Sequence, residues 1–311
     1  MEEKKLTPMK FLPDVQEFPW GKATYRLADL GFVDSMASEG WLGGSTLSDI
    51  MQTYLERVVG ENAFEWYGTQ FPVMVKQLDV RGRTSLHVNP DDETAEQRYD
   101  SFGKTALWYV EEAGPEARIM IGFRRDVSAS EFYEACGSGN VEKLLAWVSP
   151  KAGEAYLVTP GLVHAAQDVK LLEIAESSEL WFRLHEWNQG SEREVQLEEG
   201  LDLIDWHAHK IEVLKGPGLA VTPQFSVKEA ELTAPAAVIE DELGLGSFLI
   251  YICVAGEAAL RTDEQCFRFG KGELVLVPSE SGNCMLEAAA PGTKILEVRL
   301  DPRPEQDSYL S

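Results

Sequence analysis

The feature that most restricts the fold is an internal echo. KAGEAYLVTPGLVHA, residues 151–165, resembles GKGELVLVPSESGNC, residues 270–284. Each has a Gly-Glu pair, an alternating apolar run and a proline turn. Gly-acid pairs are turn chemistry, and alternation at period two marks a half-buried strand. One copy stands in each half of the chain, which suggests two related β units. Around them lie short runs rich in Val, Ile, Leu and aromatics, bounded by Gly, Pro and Asp, at 71–80, 105–113, 117–123, 154–160, 247–256, 266–278 and 294–300. Many short strands at close spacing predict a sandwich or jelly-roll barrel. Helical signals are few. TLSDIMQTYLERVVG, 46–60, has Thr46 placed as an N-cap. The stretch 128–148 reads as two short helices broken at GSGN, and 195–209 as a third helix.

A chain of 311 residues is expected to form two domains. The expected division is 1–215, carrying the site and the helical segments near 46–60 and 128–148, and 216–311. With 28 basic against 52 acidic residues the net charge is −24. That argues against nucleic acid, whose binding relies on Lys and Arg at phosphates, and against an anionic membrane surface. A small phosphorylated ligand needs only two or three local cations and stays open. The most apolar run, FLIYICVAG at 248–256, is too short to span a bilayer and reads as a buried strand. The opening residues have no apolar signal core. The four cysteines, Cys136, Cys253, Cys266 and Cys284, lack CxxC spacing and are expected to be reduced thiols of a cytoplasmic protein. The oligomeric state is left open.

The Gly-acid, apolar, Val-x-Pro arrangement is similar to the second sequence box of cupins, in which the turn feeds a strand that aims a histidine inward. Eleven residues after Gly153 stands His164; eleven after Gly272 stands Asn283. The fold expected is therefore mainly β, two cupin-like jelly-roll barrels with a small helical segment, the second barrel without metal ligands. SLHVNPDDE, 85–93, adds His87 and Asn89. Residues at i and i+2 share a strand face, so both can point inward, with His164 arriving from another strand. Imidazole suits zinc, iron, manganese or nickel; an amide oxygen is a harder, weaker donor. Asn89 before Pro90 is also a common turn signal.

PWGK (19–22), FPVMVKQLDV (71–80), SLHVNPDDE (85–93), GKTALWYV (103–110), TPGLVHAA (159–166) and EIAESSELWFRLHE (173–186) resemble, in order and spacing, the boxes of type I phosphomannose isomerases. The resemblance runs from about residue 12 to 210 and continues more weakly beyond. It implies a hexose phosphate as ligand, zinc as cofactor and aldose–ketose isomerisation through an enediol. At the family's four metal-ligand positions, Gln, His, Glu and His, this chain has His87, Asn89, Ala106 and His164. A register shifted by two would restore one histidine but break the match at Pro90, Asp92 and Glu93. Other implied site positions survive: Lys76, Lys104, Arg183 and, four residues before that arginine, Glu179. The roles implied are Glu179 as base, with Lys104 and Arg183 stabilising the enediolate or gripping the sugar beside Lys76. His87, His164 and Asn89 are the implied zinc ligands of an altered centre. The alternative is a non-catalytic sugar or sugar-phosphate binding cupin, with a regulatory role, that has lost its metal. The glycine-rich 38–49 segment is shortened relative to the family. His185, His207 and His209 are expected on polar faces, and 89–100 as a solvated loop flanking the site.

Overall fold

A computed structural model describes residues 4–187, 194–238 and 246–300. The chain divides into two compact units. One comprises Val15–Tyr25 and Met74–Lys215; the other comprises Met1–Asp14, Arg26–Val73 and Gly216–Ser311. One break between the units falls at 215/216. Residues 26–73, with the helix Leu47–Tyr54, group instead with the C-terminal part. The packing follows from their apolar residues: Leu47, Ile50 and Met51 are buried, and Phe71 lies against Phe248 with ring centroids 4.7 Å apart. No helix among the described residues is long and apolar enough to cross a membrane.

The first of these units is built on a nine-stranded sheet. Its central path runs Asp14–Phe18, Gly21–Leu27, Val73–Arg83, His164–Glu176, Leu86–Val88, Phe182–His185. The long strand Ala106–Phe123 also pairs with His164–Glu176, Ala155–Val158 and Leu145–Val148. Two separate strands were expected over 105–123. Instead the register slips between Val110 and Glu112 and between Ala113 and Arg118, so the Gly114-Pro115 step is absorbed as irregularity within one strand. A cluster of Leu86, Val88, Met120, Phe123, Phe132 and Leu184 forms part of this unit's core.

The second unit carries a five-stranded and a four-stranded sheet. Tyr251, Val275 and Ile295 from the first meet Leu260, Phe267, Phe269 and Leu286 from the second in one apolar cluster. Burial of such faces is the main favourable term holding two sheets together.

The internal echo survives as matched backbone geometry. Gly153 donates to Val110 O at 2.9 Å, and Val110 donates back to Glu154 O at 2.8 Å. In the second copy, Gly272 donates to Cys253 O at 2.8 Å and Cys253 back to Glu273 O at 3.0 Å. Both glycines have positive φ, 83° and 82°, a region costly for any residue with a Cβ. The strands that follow are Ala155–Val158 and Leu274–Val277.

Helices fall close to where they were expected. Thr46 Oγ1 accepts from Asp49 N at 3.2 Å and caps Leu47–Tyr54. Ala129–Gly137 matches the first of the two helices expected over 128–148, but in place of the second stand a short 3-10 turn, Val141–Leu144, and the strand Leu145–Val148. Two further expectations change. The 89–100 loop contains a helix, Asp92–Tyr99, because Asp91 Oδ1 accepts from Thr94 N at 2.7 Å and starts it. The 195–209 helix shrinks to Leu197–Leu201, because Asp205 Oδ1 accepts from His207 N at 3.0 Å and turns the chain away. Cys136, Cys253 and Cys284 are buried free thiols, and Cys266 is exposed and free.

Replacing Gly153 or Gly272 by alanine is expected to destabilise the protein by about 1–2 kcal/mol each, the cost of forcing a Cβ into the left-handed region. Denaturant unfolding checks this. Equal loss at the two sites supports matched turns; no loss at either contradicts them.

Candidate functional site

The site is assembled where sequence-distant strands of the first unit lie side by side. Leu86–Val88 runs antiparallel to His164–Glu176, and His87 stands directly opposite His164. Directly opposed residues share a face, so the two imidazoles converge, with centroids 6.1 Å apart. Asn89, two residues on from His87, lines the same cavity. The cavity is also lined by Lys76, Lys104, Glu173 and Glu179, and its walls are aromatic: Phe18, Trp20, Tyr25, Trp108 and Trp181.

Lys104 is seated by a close backbone crossing. A Cβ on Gly103 would come within 2.5 Å of Asp91 C and Asp92 N, so only glycine lets the chain pass the start of the Asp92–Tyr99 helix. Lys104 N then donates to Pro90 O at 3.1 Å, and Asn89 Nδ2 donates to Lys104 O at 3.2 Å. The consecutive Gly-Lys of the sequence thus has a mechanical reason.

Four buried charges meet at the floor. Lys76 Nζ lies 3.1 Å from Glu173 Oε1 and 2.5 Å from Glu179 Oε1. Lys104 Nζ lies 3.3 Å and 3.5 Å from the same two oxygens. Each carboxylate also accepts an indole N–H, Trp108 Nε1 to Glu173 Oε2 at 2.7 Å and Trp181 Nε1 to Glu179 Oε2 at 2.9 Å. Burial works against every one of these charges. For Glu173 and Glu179 the two ammonium groups outweigh it and hold both carboxyls below their usual range. For Lys76, burial is overcome by Glu173 and Glu179, and its pKa rises well above normal. For Lys104, burial prevails and lowers the pKa.

Both histidines are held neutral. Burial is the leading cause for each. His87 is pushed well below its usual value, with His164, Arg183, Lys104 and Lys76 adding to the effect. His164 falls to about 4. The contact between His164 Nδ1 and Leu162 O, 2.9 Å, fixes its tautomer: a carbonyl only accepts, so Nδ1 carries the proton and Nε2 presents a lone pair. His87 Nε2 is buried without a hydrogen-bond partner among the described residues. The His87 ring lies against Trp181, centroids 4.4 Å apart.

Arg183 stands beside this cavity and does not line it. It is the cross-strand neighbour of His87, but its Nε lies 2.7 Å from Glu186 Oε1 and its Nη1 donates to Glu194 O at 2.9 Å. His207 is exposed and bonded to Asp205, and His209 packs near Gly122; neither lines the cavity. Glu179, which its SSEL context would allow on a solvated turn, is largely buried in the ion-pair network. Glu173, Trp108 and Trp181 were not singled out from the sequence. One signal was present for Glu173: a lone acid within the apolar run KLLEIA must find a buried partner.

The donors in place meet only part of what a resident zinc ion needs. Catalytic zinc sites use three protein ligands. Two neutral imidazoles are present, Ala106 at the third position has no donor, and Asn89 offers only an amide oxygen. The nearest carboxylates are already shared by two ammonium groups. No group of three His, Cys, Asp or Glu suited to a metal occurs among the described residues. The donor set does not fit a catalytic zinc centre.

Strand-borne histidines facing the interior of a mainly β unit, beside a turn-strand-turn box repeated in a second unit, mark a cupin-type fold. A family profile, the cupin domain of mannose-6-phosphate isomerase, matches residues 219–291. Mannose-6-phosphate isomerase ManA of Bacillus subtilis is 26% identical over 91% of this chain and 96% of its own length. The crystal structure of the mannose 6-phosphate isomerase from Bacillus subtilis superposes with a TM-score of 0.80 at 21% identity, covering 94% of this chain and all of that one. A mannose 6-phosphate isomerase bound with zinc and yttrium superposes at 0.75 with 14% identity, covering 94% of this chain and 99% of the other. The chain is thus similar in sequence, over nearly its whole length, to mannose-6-phosphate isomerases and shares their cupin-type fold.

Glu173→Gln is expected to cost about 3–5 kcal/mol, because it strands Lys76 and Lys104 in a buried site with half their counter-charge. The pH dependence follows from the same pair. Both carboxyls have folded pKa values below their unfolded value of about 4.3, so their contribution is full above that pH and is lost as pH falls through the folded values. Acid unfolding followed by circular dichroism should therefore show stability falling below about pH 4 in the native chain and a shallower fall in Glu173→Gln. Identical acid profiles would contradict the network.

Proposed function

We propose that the protein interconverts mannose 6-phosphate and fructose 6-phosphate, in cytoplasmic carbohydrate metabolism, at the cavity of the first unit. The observation that carries this is the buried Lys76–Glu173–Lys104–Glu179 network opening onto two neutral imidazoles. Relatives aligned over nearly the whole chain bear the isomerase name. The two units are read as cupin jelly rolls, the second serving to pack and close.

The reaction moves a proton between C1 and C2 and leaves negative charge on the oxygens of an enediolate. A base must take the proton, and fixed positive charge must steady the oxygens. Glu179 is the base: Lys76 and Lys104 keep it ionised at neutral pH, so it is ready to accept. The same cations weaken its basicity, and they recover that loss by stabilising the enediolate. Lys104 and Lys76 face the sugar; Arg183 adds positive potential from beside the cavity. Trp108 and Trp181 hold the two carboxylates in orientation and offer flat apolar faces to the sugar ring. No step is assigned to zinc, because its donors are incomplete. That same incompleteness favours a second reading, a sugar-phosphate binding cupin without turnover.

A coupled assay for mannose 6-phosphate isomerisation separates the two readings. Turnover by the native chain, reduced roughly 10²–10⁴-fold in kcat by Glu179→Gln, supports the isomerase. Binding of fructose 6-phosphate with no turnover under any metal supplement favours the second reading.

A further inference from the structure

We infer that His87 and His164 meet the sugar's oxygens directly, with no divalent cation between them and the ligand. The identity of the sugar rests on the isomerase reading; the contact itself rests on the geometry of the pair.

An open-chain aldose or ketose presents, on neighbouring carbons, a carbonyl that only accepts and a hydroxyl that can donate. The imidazole pair is complementary to that arrangement. His164 is fixed by Leu162 O with its proton on Nδ1, so Nε2 is an acceptor for the hydroxyl. Among the described residues no hydrogen bond fixes the tautomer of His87, and its ring lines the cavity, so it can turn its proton to the sugar carbonyl. The two rings are cross-strand neighbours, 6.1 Å apart between centroids, and both line the cavity that holds Glu179. A hydrogen bond to a carbonyl oxygen from a neutral ring, in a site sheltered from water, polarises it as the enediolate forms.

A cation between the rings is disfavoured on two independent grounds. The donors are too few, since Asn89 offers only a weak amide oxygen and Ala106 has none. The charge is also wrong. His87 lies in the positive field of Lys76, Lys104 and Arg183, and the carboxylates that would offset a dication are committed to the lysines.

The test uses the full chain. Zinc is measured by elemental mass spectrometry after dialysis against a chelator and again after zinc is added back and excess removed. Histidine ring nitrogens are followed by ¹⁵N NMR in the chelated protein as fructose 6-phosphate is added. The expected result is substoichiometric zinc in both samples, with the His87 and His164 resonances moving on sugar addition. His164→Gln should weaken fructose 6-phosphate binding about tenfold, the worth of one such hydrogen bond. Stoichiometric zinc after add-back, or ring resonances that ignore the sugar, overturns the inference. Isomerisation that appears only with zinc overturns it while leaving the isomerase reading intact. Metal-free histidine shifts without any turnover uphold it and remove the isomerase reading instead.

Discussion

Two lysines and two glutamates, all buried, hold each other in place, and the site depends on that balance. Each ammonium contacts both carboxylates, and each carboxylate takes an indole N–H as well. Any one of these charges alone would be too costly to bury. Together they are neutral, and that neutrality lets the strands Val73–Arg83 and His164–Glu176 run through the site with charged side chains facing inward. Lys76 and Glu173 come from the middles of those strands, Lys104 from the crossing beside Gly103, and Glu179 from the turn before Phe182–His185. The network is thus also a clasp between parts of the unit that are far apart in sequence.

The chemistry follows from the same arrangement. A carboxylate kept ionised by two cations is a weak but always available base, and the cations remain to receive the charge that the base creates. The imidazoles, kept neutral by burial, offer hydrogen bonds instead of charge. The similar proteins are named isomerases; this chain has ammonium and carboxylate groups in the cavity, and carries Asn89 and Ala106 at two of the metal-donor positions the resemblance implies. On the proposed reading these charges would serve proton transfer and enediolate stabilisation, both of which draw on fixed protein charge.

Much of this was legible in the sequence, and the rest was not for identifiable reasons. The Gly-Glu echo predicted matched turns, and Gly153 and Gly272 make the same hydrogen bonds at the same φ. Counting eleven from Gly153 reached His164, and the i, i+2 rule placed His87 and Asn89 on one face; the structure brings all three to one cavity. Partner choice was hidden. Nothing local says that Arg183 turns to Glu186, or that Glu179 turns inward to Lys76, since both depend on neighbours from other strands. Glu173 lies outside any motif, and its one local signal is an acid stranded among leucine and isoleucine. The grouping of 26–73 with the C-terminal part was equally invisible, being decided by packing such as Phe71 against Phe248.

A crystal structure of the protein with fructose 6-phosphate, collected at the zinc absorption edge, tests the account most directly. It should show the sugar's first two carbons against the Glu179 carboxylate, Lys76 and Lys104 in contact with both glutamates, and no anomalous peak between the imidazoles. A sugar seated away from Trp108 and Trp181, or a metal peak bridging His87 and His164, would contradict it.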